Sequence, residues 1–196
     1  HAGTRWATRR IDTRAPFGFP PRPSLPAVTP HAPYTASAAL YRRAKRIAEA
    51  TGALFTTHVG ESGEENEMFA RAEGPLFDLM RRLGRDMSDC GHGGSLGLLL
   101  DEGLLPPGAL LAHVNYFGQG DLRRCAAAGH AVVHCPRSHA FFGHRPFDFE
   151  SMRAAGVPVL LATDSLASCD SLSLFDEMRE FASRQPDVSP AAIFAM

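Results

Sequence analysis

Three features are scarce in this sequence: long apolar runs, net charge and paired cysteines. No run of about 18 apolar residues occurs, which argues against a membrane-spanning helix. The formal net charge of -1 provides no basic surface for nucleic acid or an acidic membrane. The four cysteines show no Cys-x-x-Cys spacing, so we expect reduced thiols. The sequence thus predicts a cytoplasmic protein that binds neither nucleic acid nor a membrane.

The length and composition are sufficient for a sizeable hydrophobic core, since the 196 residues are 44% hydrophobic and 21% charged. Residues 1–26 differ from the rest because proline and arginine recur there. Proline excludes a regular helix or a central strand, so we predict an extended or poorly ordered lead-in. An alternative is that its arginines reach over a pocket. Residues 27–196 are predicted to form the folded domain.

Short apolar runs alternate with amphipathic helical segments from residue 27 onward. The apolar runs predict strands at 27–34, 53–58, 109–113, 131–134 and 157–163. The helical patterns cover 37–50, 64–83 with a break at Gly74-Pro75, 96–104, 121–128, 149–155 and 172–184. Strands separated by helices are βα units, so this order predicts five such units and a parallel sheet.

Two α/β architectures place their chemistry at the carboxyl ends of parallel strands. An eight-stranded barrel typically takes about 250 residues, and five strands cannot close one. A doubly wound sheet usually carries a glycine-rich phosphate loop after a strand. The one glycine-rich stretch, 91–97, follows no predicted strand and is interpreted as a flexible connection.

Residues able to bind metals or transfer protons follow the predicted strands. His58 and Glu61 come after one apolar run, His113 and His134 end two others, and Asp164 follows the last. Neutral imidazole and ionised carboxylate are ligands that suit catalytic zinc or iron and leave room for water. The strand ends therefore predict a divalent-metal site.

Five blocks in this order resemble the amidohydrolase superfamily, in the branch that holds chlorohydrolases and deaminases. The blocks are Pro30-His31-Ala32-Pro33-Tyr34, His58-x-x-Glu61, Ala112-His113-Val114-Asn115, Val133-His134-Cys135-Pro136-Arg137-Ser138, and Ala162-Thr163-Asp164 with Ser171 to Arg179. The resemblance implies a (β/α)8 barrel, of which this chain would supply strands four to eight.

The resemblance also implies a role for each matching residue. His58 and Asp164 match metal ligands, and Glu61 matches the glutamate that transfers protons between water and the leaving nitrogen. His113 matches a histidine that orients both hydroxide and substrate, and His31 matches a substrate-contacting histidine. Catalysis would thus use Glu61, His113 and Asp164, and substrate binding would use His31, Glu61 and His113.

The implied activity is hydrolytic deamination of a purine-type or related heterocycle by a metal-activated hydroxide. One divalent metal is expected, with zinc favoured over iron, and the substrate would be a small heterocycle attacked by water. Arg137 either contacts that substrate or pairs with a carboxylate. The resemblance is compatible with a homo-oligomer.

The sequence departs from the superfamily pattern in one important respect, since it contains no His-x-His motif. Truncation of the first part of the barrel is the simplest explanation, and the activity of such a fragment alone is doubtful. Two alternatives are a dehalogenating chlorohydrolase on the same barrel and an inactive truncated barrel. A structural zinc site at His134, Cys135, His139 and His144 is a weaker hypothesis because paired Cys-x-x-Cys ligands are absent.

Overall fold

The computed structural model describes residues 26–196, so the predicted lead-in lies outside the described residues except for Pro26. Five parallel strands form one sheet in which strand order follows chain order. They are β1 (Ala27–Val28), β2 (Leu54–Val59), β3 (Leu110–His113), β4 (Ala131–His134) and β5 (Val159–Leu161). This order has no switch point of the doubly wound kind and is that of a barrel arc. The five predicted βα units are confirmed.

The strand predicted at 27–34 is much shorter in the structure. Pro30 and Pro33 follow β1, and proline offers no N–H to a sheet. The chain nevertheless stays beside β2, because the backbone N–H of His58 donates to the carbonyl of His31 at 2.9 Å. His31 is thus held at the carboxyl end of the sheet without belonging to a strand.

Nine helices occur in the described residues. They are α1 (Ala38–Thr51), α2 (Gly63–Arg71), α3 (Pro75–Arg82), α4 (Ser95–Asp101), α5 (Asp121–Ala127), α6 (Pro136–Phe141), α7 (Phe149–Ala155), α8 (Leu174–Arg184) and α9 (Pro190–Phe194). The break predicted at Gly74-Pro75 separates α2 from α3 and is confirmed. Helices α6 and α9 were not predicted. No helix in the described part of the chain is long and apolar enough to cross a membrane.

Serine side chains begin several of these helices. Ser37, Ser62, Ser173 and Ser189 each accept a hydrogen bond from a backbone N–H in the first turn of a helix. Such caps satisfy donors that the helix cannot pair by itself. The loops that enter α1, α2, α8 and α9 are therefore fixed to the first turn of each helix.

The main core lies between the sheet and the helices that pack on one of its faces. Alternate strand residues such as Phe55, Val59, Leu111 and Val132 are buried there. The intervening residues of these strands are only half-buried. The alternation follows from the two-residue period of a strand, which directs successive side chains to opposite faces. The four cysteines are free thiols, as predicted.

Candidate active site

Three predicted residues converge at the carboxyl edge of the sheet. Glu61 follows β2, His113 ends β3 and Asp164 follows β5, and their ligand atoms lie within 4.8 Å of one another. His113 Nε2 is 3.6 Å from Glu61 Oε1. Within residues 26–196, no other group of three or more His, Cys, Asp or Glu residues converges in this way. The arrangement provides one imidazole and two carboxylates to a common point.

A strained turn directs His113 toward this point. The φ angles of His113 and Val114 are 74° and 47°, a region that non-glycine residues rarely adopt. The N–H of Val114 donates to the carbonyls of Ala112 at 3.2 Å and of Val59 at 3.0 Å. The first of these bonds closes a γ-turn around His113. Strain of this kind persists where the surroundings impose it, and it is common at functional sites.

The loops after β2 and β3 are tied together beside Glu61. The N–H of Tyr116 donates to the carbonyl of Gly60 at 2.9 Å, and Asn115 Nδ2 donates to the carbonyl of Glu61 at 2.8 Å. Gly60 has a φ of 61°, and a Cβ there would lie 2.3 Å from the carbonyl oxygen of Tyr116. Glycine is therefore required for this close approach.

A second glutamate holds the backbone of Glu61 from the opposite side. Glu65 is 1% exposed, and its two carboxylate oxygens accept from the N–H groups of Gly60 at 2.8 Å and Glu61 at 2.9 Å. Burial raises the pKa of Glu65, and hydrogen bonds from Ser95 and from these two N–H groups partly oppose the rise. Both the N–H and the carbonyl of Glu61 are thus fixed, which restricts where its side chain can lie.

Asp164 is oriented by two donors. Its Oδ2 accepts from the Ser138 hydroxyl at 2.7 Å, and its Oδ1 accepts from the backbone N–H of Ser165 at 2.8 Å. Burial alone would raise the pKa of Asp164, but these hydrogen bonds and the neighbouring His113 and His58 together outweigh it, and the net pKa is lowered. The carboxylate therefore stays ionised at neutral pH.

His31, His58 and His113 form a row of rings along the same edge. The ring centroids of His31 and His58 are 5.0 Å apart, and those of His58 and His113 are 5.3 Å apart. His58 Nδ1 lies 3.1 Å from the carbonyl oxygen of His31. A carbonyl partner at Nδ1 is the usual support of a histidine that binds metal through Nε2. His58 lies beside the Glu61, His113 and Asp164 group without belonging to it.

Burial shifts the pKa values of Glu61 and His113 in opposite directions. It raises the pKa of Glu61, although the neighbouring His58 and His144 oppose the rise. It lowers the pKa of His113 to about 4, and the neighbouring His58 adds to the effect. Glu61 is therefore easier to protonate than an ordinary glutamate, and His113 is neutral at physiological pH.

Arg137 lies in the first turn of α6 and contacts the loop before α8. Its guanidinium donates to the carbonyl of Ser171 at 3.1 Å and pairs with Asp170. Its backbone N–H donates at 3.0 Å to Glu177, whose side chain is fully buried. These bonds are those of a residue that fixes a loop, and its contact with substrate stays a prediction.

His134 lies on the helix-covered side of the sheet. Its ring stacks on Phe147 with centroids 3.7 Å apart and meets the edge of Phe181 at 6.1 Å. Burial, with smaller effects of His139 and His113, lowers its pKa to about 2. His139 Nδ1 is instead 3.1 Å from Asn115 Oδ1. The hypothetical zinc site around His134 and Cys135 is therefore not assembled among the described residues.

Sequence reasoning missed the residues that support the site, namely Glu65, Asn115, Ser138 and Glu177. The pattern Ser62-x-x-Glu65 was a usable signal, because a serine followed three residues later by glutamate is a capping box. Ser62 does accept from the N–H of Glu65 at 3.2 Å, but the Glu65 carboxylate reaches back beyond Ser62. No sequence pattern indicated the bond between Ser138 and Asp164.

Comparison with known proteins agrees with this geometry. A family model described as the amidohydrolase family matches residues 18–196. The chain is 33% identical to an aminodeoxyfutalosine deaminase of Deinococcus radiodurans, over 88% of this chain and 43% of that protein. It is 30% identical to a 5-methylthioadenosine/S-adenosylhomocysteine deaminase of Thermococcus onnurineus, over 76% of this chain and 31% of that protein. The chain thus spans less than half the length of these relatives.

Two solved structures with a similar fold are also structures of deaminases. An aminofutalosine deaminase of Helicobacter pylori, in complex with methylthio-coformycin, matches with a TM-score of 0.71 and 27% identity over 81% of this chain and 39% of that one. An adenosine deaminase of Xanthomonas campestris with bound zinc matches with a TM-score of 0.64 and 25% identity over 84% and 33%. The five-stranded sheet corresponds to part of the (β/α)8 barrel of such enzymes, and the chain belongs to the amidohydrolase family.

Proposed function

We propose that the protein hydrolyses a C–N bond by deaminating an amino-substituted purine or a related nitrogen heterocycle, with the help of a divalent metal. The convergence of Glu61, His113 and Asp164 at one edge of the sheet is the observation that carries this proposal. The deaminase names of the relatives support the reaction type. The proposed specificity for purine-type substrates is supported only by those names.

The donor set fits a metal of the zinc type. An imidazole and carboxylates in close proximity are the ligands of catalytic zinc, and the Xanthomonas structure contains zinc. Asp164 and His58 would hold the ion. Asp164 belongs to the converging group, and His58 lies beside it, with its ring centroid 5.3 Å from that of His113. The Nδ1 of His58 faces a carbonyl, which leaves its Nε2 available. When bound, a divalent metal lowers the pKa of water toward neutrality and polarises the reacting centre.

Glu61 is the proposed proton carrier. Its raised pKa lets it take a proton from the attacking water and return it to the leaving amino nitrogen. Asp164, ionised by its two hydrogen bonds, accepts a hydrogen bond from the water and orients it. Neutral His113 hydrogen-bonds to the reacting centre. Water is consumed, the C–N bond breaks and ammonia leaves. Dehalogenation would not need this proton, because chloride leaves unprotonated.

The test uses the full product of the gene that encodes this chain. We expect the purified protein to contain zinc and to release ammonia from at least one of adenosine, 5′-methylthioadenosine and guanine. Removal of the metal with a chelator should abolish the release, and added zinc should restore it. Undiminished turnover by metal-free protein, or no ammonia from any of these compounds, would contradict the proposal.

A further inference from the structure

Two buried side chains connect the segment after β4 to the backbone of Glu61. Asn115, which follows β3, donates from Nδ2 to the carbonyl of Glu61 at 2.8 Å. Its Oδ1 lies 3.1 Å from Nδ1 of His139, which belongs to α6. Asn115 is 3% exposed and His139 is 5% exposed. Because β2, β3 and β4 are neighbours in the parallel sheet, these contacts join three successive loops at its carboxyl edge. We call the two side chains the His139–Asn115 relay.

The position of each hydrogen atom in the relay follows from its last member. The carbonyl of Glu61 can only accept a hydrogen bond, so the amide nitrogen of Asn115 faces it and the amide oxygen faces His139. That oxygen can also only accept, and Nδ1 of His139 therefore donates. Burial, with a smaller effect of His144, lowers the pKa of His139 to about 4, so the ring is neutral at physiological pH. Neutral His139 thus carries its one ring N–H on Nδ1.

A second hydrogen bond from the same segment holds the backbone of Asn115. Arg145 Nε donates to the carbonyl of Asn115 at 2.8 Å. The Arg145 guanidinium also lies over the ring of Tyr116, 4.3 Å from its centroid. The side chain and the backbone of Asn115 are thus both held from the segment after β4. This restricts the amide to the orientation that contacts Glu61.

The location of Glu61 makes it sensitive to such contacts. Glu61 lies outside β2 and α2, in the short loop between them. Its side chain has to reach the point that it shares with His113 and Asp164. A displacement of about 1 Å can lower the rate that a catalytic group supports by about 10²-fold. A hydrogen bond to the carbonyl of Glu61 can therefore affect turnover without any contact with the substrate.

We propose that His139 is a positioning residue for Glu61 and that it acts through the amide of Asn115. The proposal rests on the proposed function, because it takes Glu61 to be the proton carrier. It requires a hydrogen-bond donor at the δ position of residue 139. It requires no contact between His139 and the substrate.

The first test compares His139 with a buried histidine at the opposite end of the sheet. His130 is 2% exposed, and its Nδ1 accepts from the N–H of Ala109 at 3.2 Å. His130 directly precedes β4 and Ala109 directly precedes β3, so this bond lies at the amino edge. His139→Leu and His130→Leu each remove one buried hydrogen bond. Only His139→Leu should lower kcat, by about tenfold, with KM and metal content nearly unchanged. His139→Asn keeps a donor at the δ position and should restore most of kcat.

The second test determines whether the effect passes through Asn115. Asn115→Ala alone should lower kcat at least as much as His139→Leu does. In the Asn115→Ala background, His139→Leu should change kcat by less than about twofold, because the relay is already broken. The measurements are ammonia release from adenosine, 5′-methylthioadenosine or guanine by the full gene product, and metal analysis of each variant.

Three results would overturn the proposal. His139→Leu and His130→Leu would lower kcat equally, His139→Asn would be as impaired as His139→Leu, or the effect of His139→Leu would be as large without Asn115 as with it.

A failure of the proposed function would be recognised separately. If the wild-type protein releases no ammonia from any of the three compounds, the proposed function fails, and NMR of protein with isotopically labelled histidine tests the relay itself. The His139 signal is assigned by its loss in His139→Asn. A neutral ring protonated at Nδ1, with this preference lost in Asn115→Ala, would support the relay. Protonation at Nε2 in the wild-type protein would overturn it.

Discussion

His113 and His134 occupy equivalent positions in sequence but face different surroundings. Each ends a short apolar strand, and each is buried with a pKa lowered by that burial, to about 4 and about 2 respectively. His113 lies next to Glu61 and Asp164. His134 stacks on Phe147 within the core.

The backbone after each strand explains the difference. The γ-turn at His113, with its positive φ, takes the side chain out of the strand alternation and toward the site. His134 keeps the regular alternation, which directs it to the helix-covered face. A histidine at a strand end is therefore a candidate ligand only if the following turn brings it to the open edge of the sheet.

The largest effect should come from Glu61, which lies next to His113 in the group of converging residues. Glu61→Gln should retain metal and lower kcat by about 10²–10⁴-fold, because an amide of nearly the same shape cannot carry a proton. Asp164→Ala should lower both metal content and turnover, because it removes a proposed metal ligand. The measurements are metal analysis and ammonia release on the full gene product. Wild-type turnover in Glu61→Gln would contradict the mechanism.

Replacement by asparagine should affect the two histidines differently. His113→Asn should abolish most turnover, with the free energy of unfolding changed by less than about 1 kcal/mol, because asparagine tolerates a positive φ. His134→Asn should cost about 2–3 kcal/mol of stability and leave the metal content of the folded protein unchanged. Denaturant unfolding and metal analysis distinguish the two. Equal stability losses would show that His113 too is mainly a packing residue.

The sequence predicted the sheet well because β3 and β4 are short apolar runs that end in a histidine, and β2 and β5 are each followed within two residues by a polar residue. Short apolar runs bounded by polar or turn residues are typical of the strands of a parallel sheet. It did not predict α6, since Pro136 begins that helix immediately after β4 and its six residues are too few to show a helical period. Nor did it predict the turn at His113, because Val114 is β-branched and such residues disfavour a positive φ.

The surroundings of His134 also predict a pH dependence. Its pKa is about 2 in the folded protein against 6.5 as the ordinary value, so the unfolded chain takes up a proton that the folded chain does not. The contribution of neutral His134 to the free energy of unfolding is complete above pH 6.5 and declines as the pH falls toward 2. Between about pH 6 and 4, His134→Phe should reduce the slope of unfolding free energy by about 1.4 kcal/mol per pH unit. The exposed His92 provides the control as His92→Gln. An unchanged slope in His134→Phe would contradict the folded-state pKa.

The smallest expected effect concerns Ser138, which connects α6 to Asp164 at the carboxyl edge of the sheet. Its hydroxyl donates to Asp164 Oδ2 at 2.7 Å, while Ser165 continues to hold Oδ1. Ser138→Ala should therefore weaken metal binding by about tenfold, the lower end of what loss of a ligand's supporting hydrogen bond costs. Ser168→Ala is the matched control, because the Ser168 hydroxyl donates to the carbonyl of Ser165 and not to Asp164. Metal affinity is measured by competition with a chelator. Equal metal affinities in the two variants would mean that Ser138, like His134, contributes to packing and not to the proposed metal site.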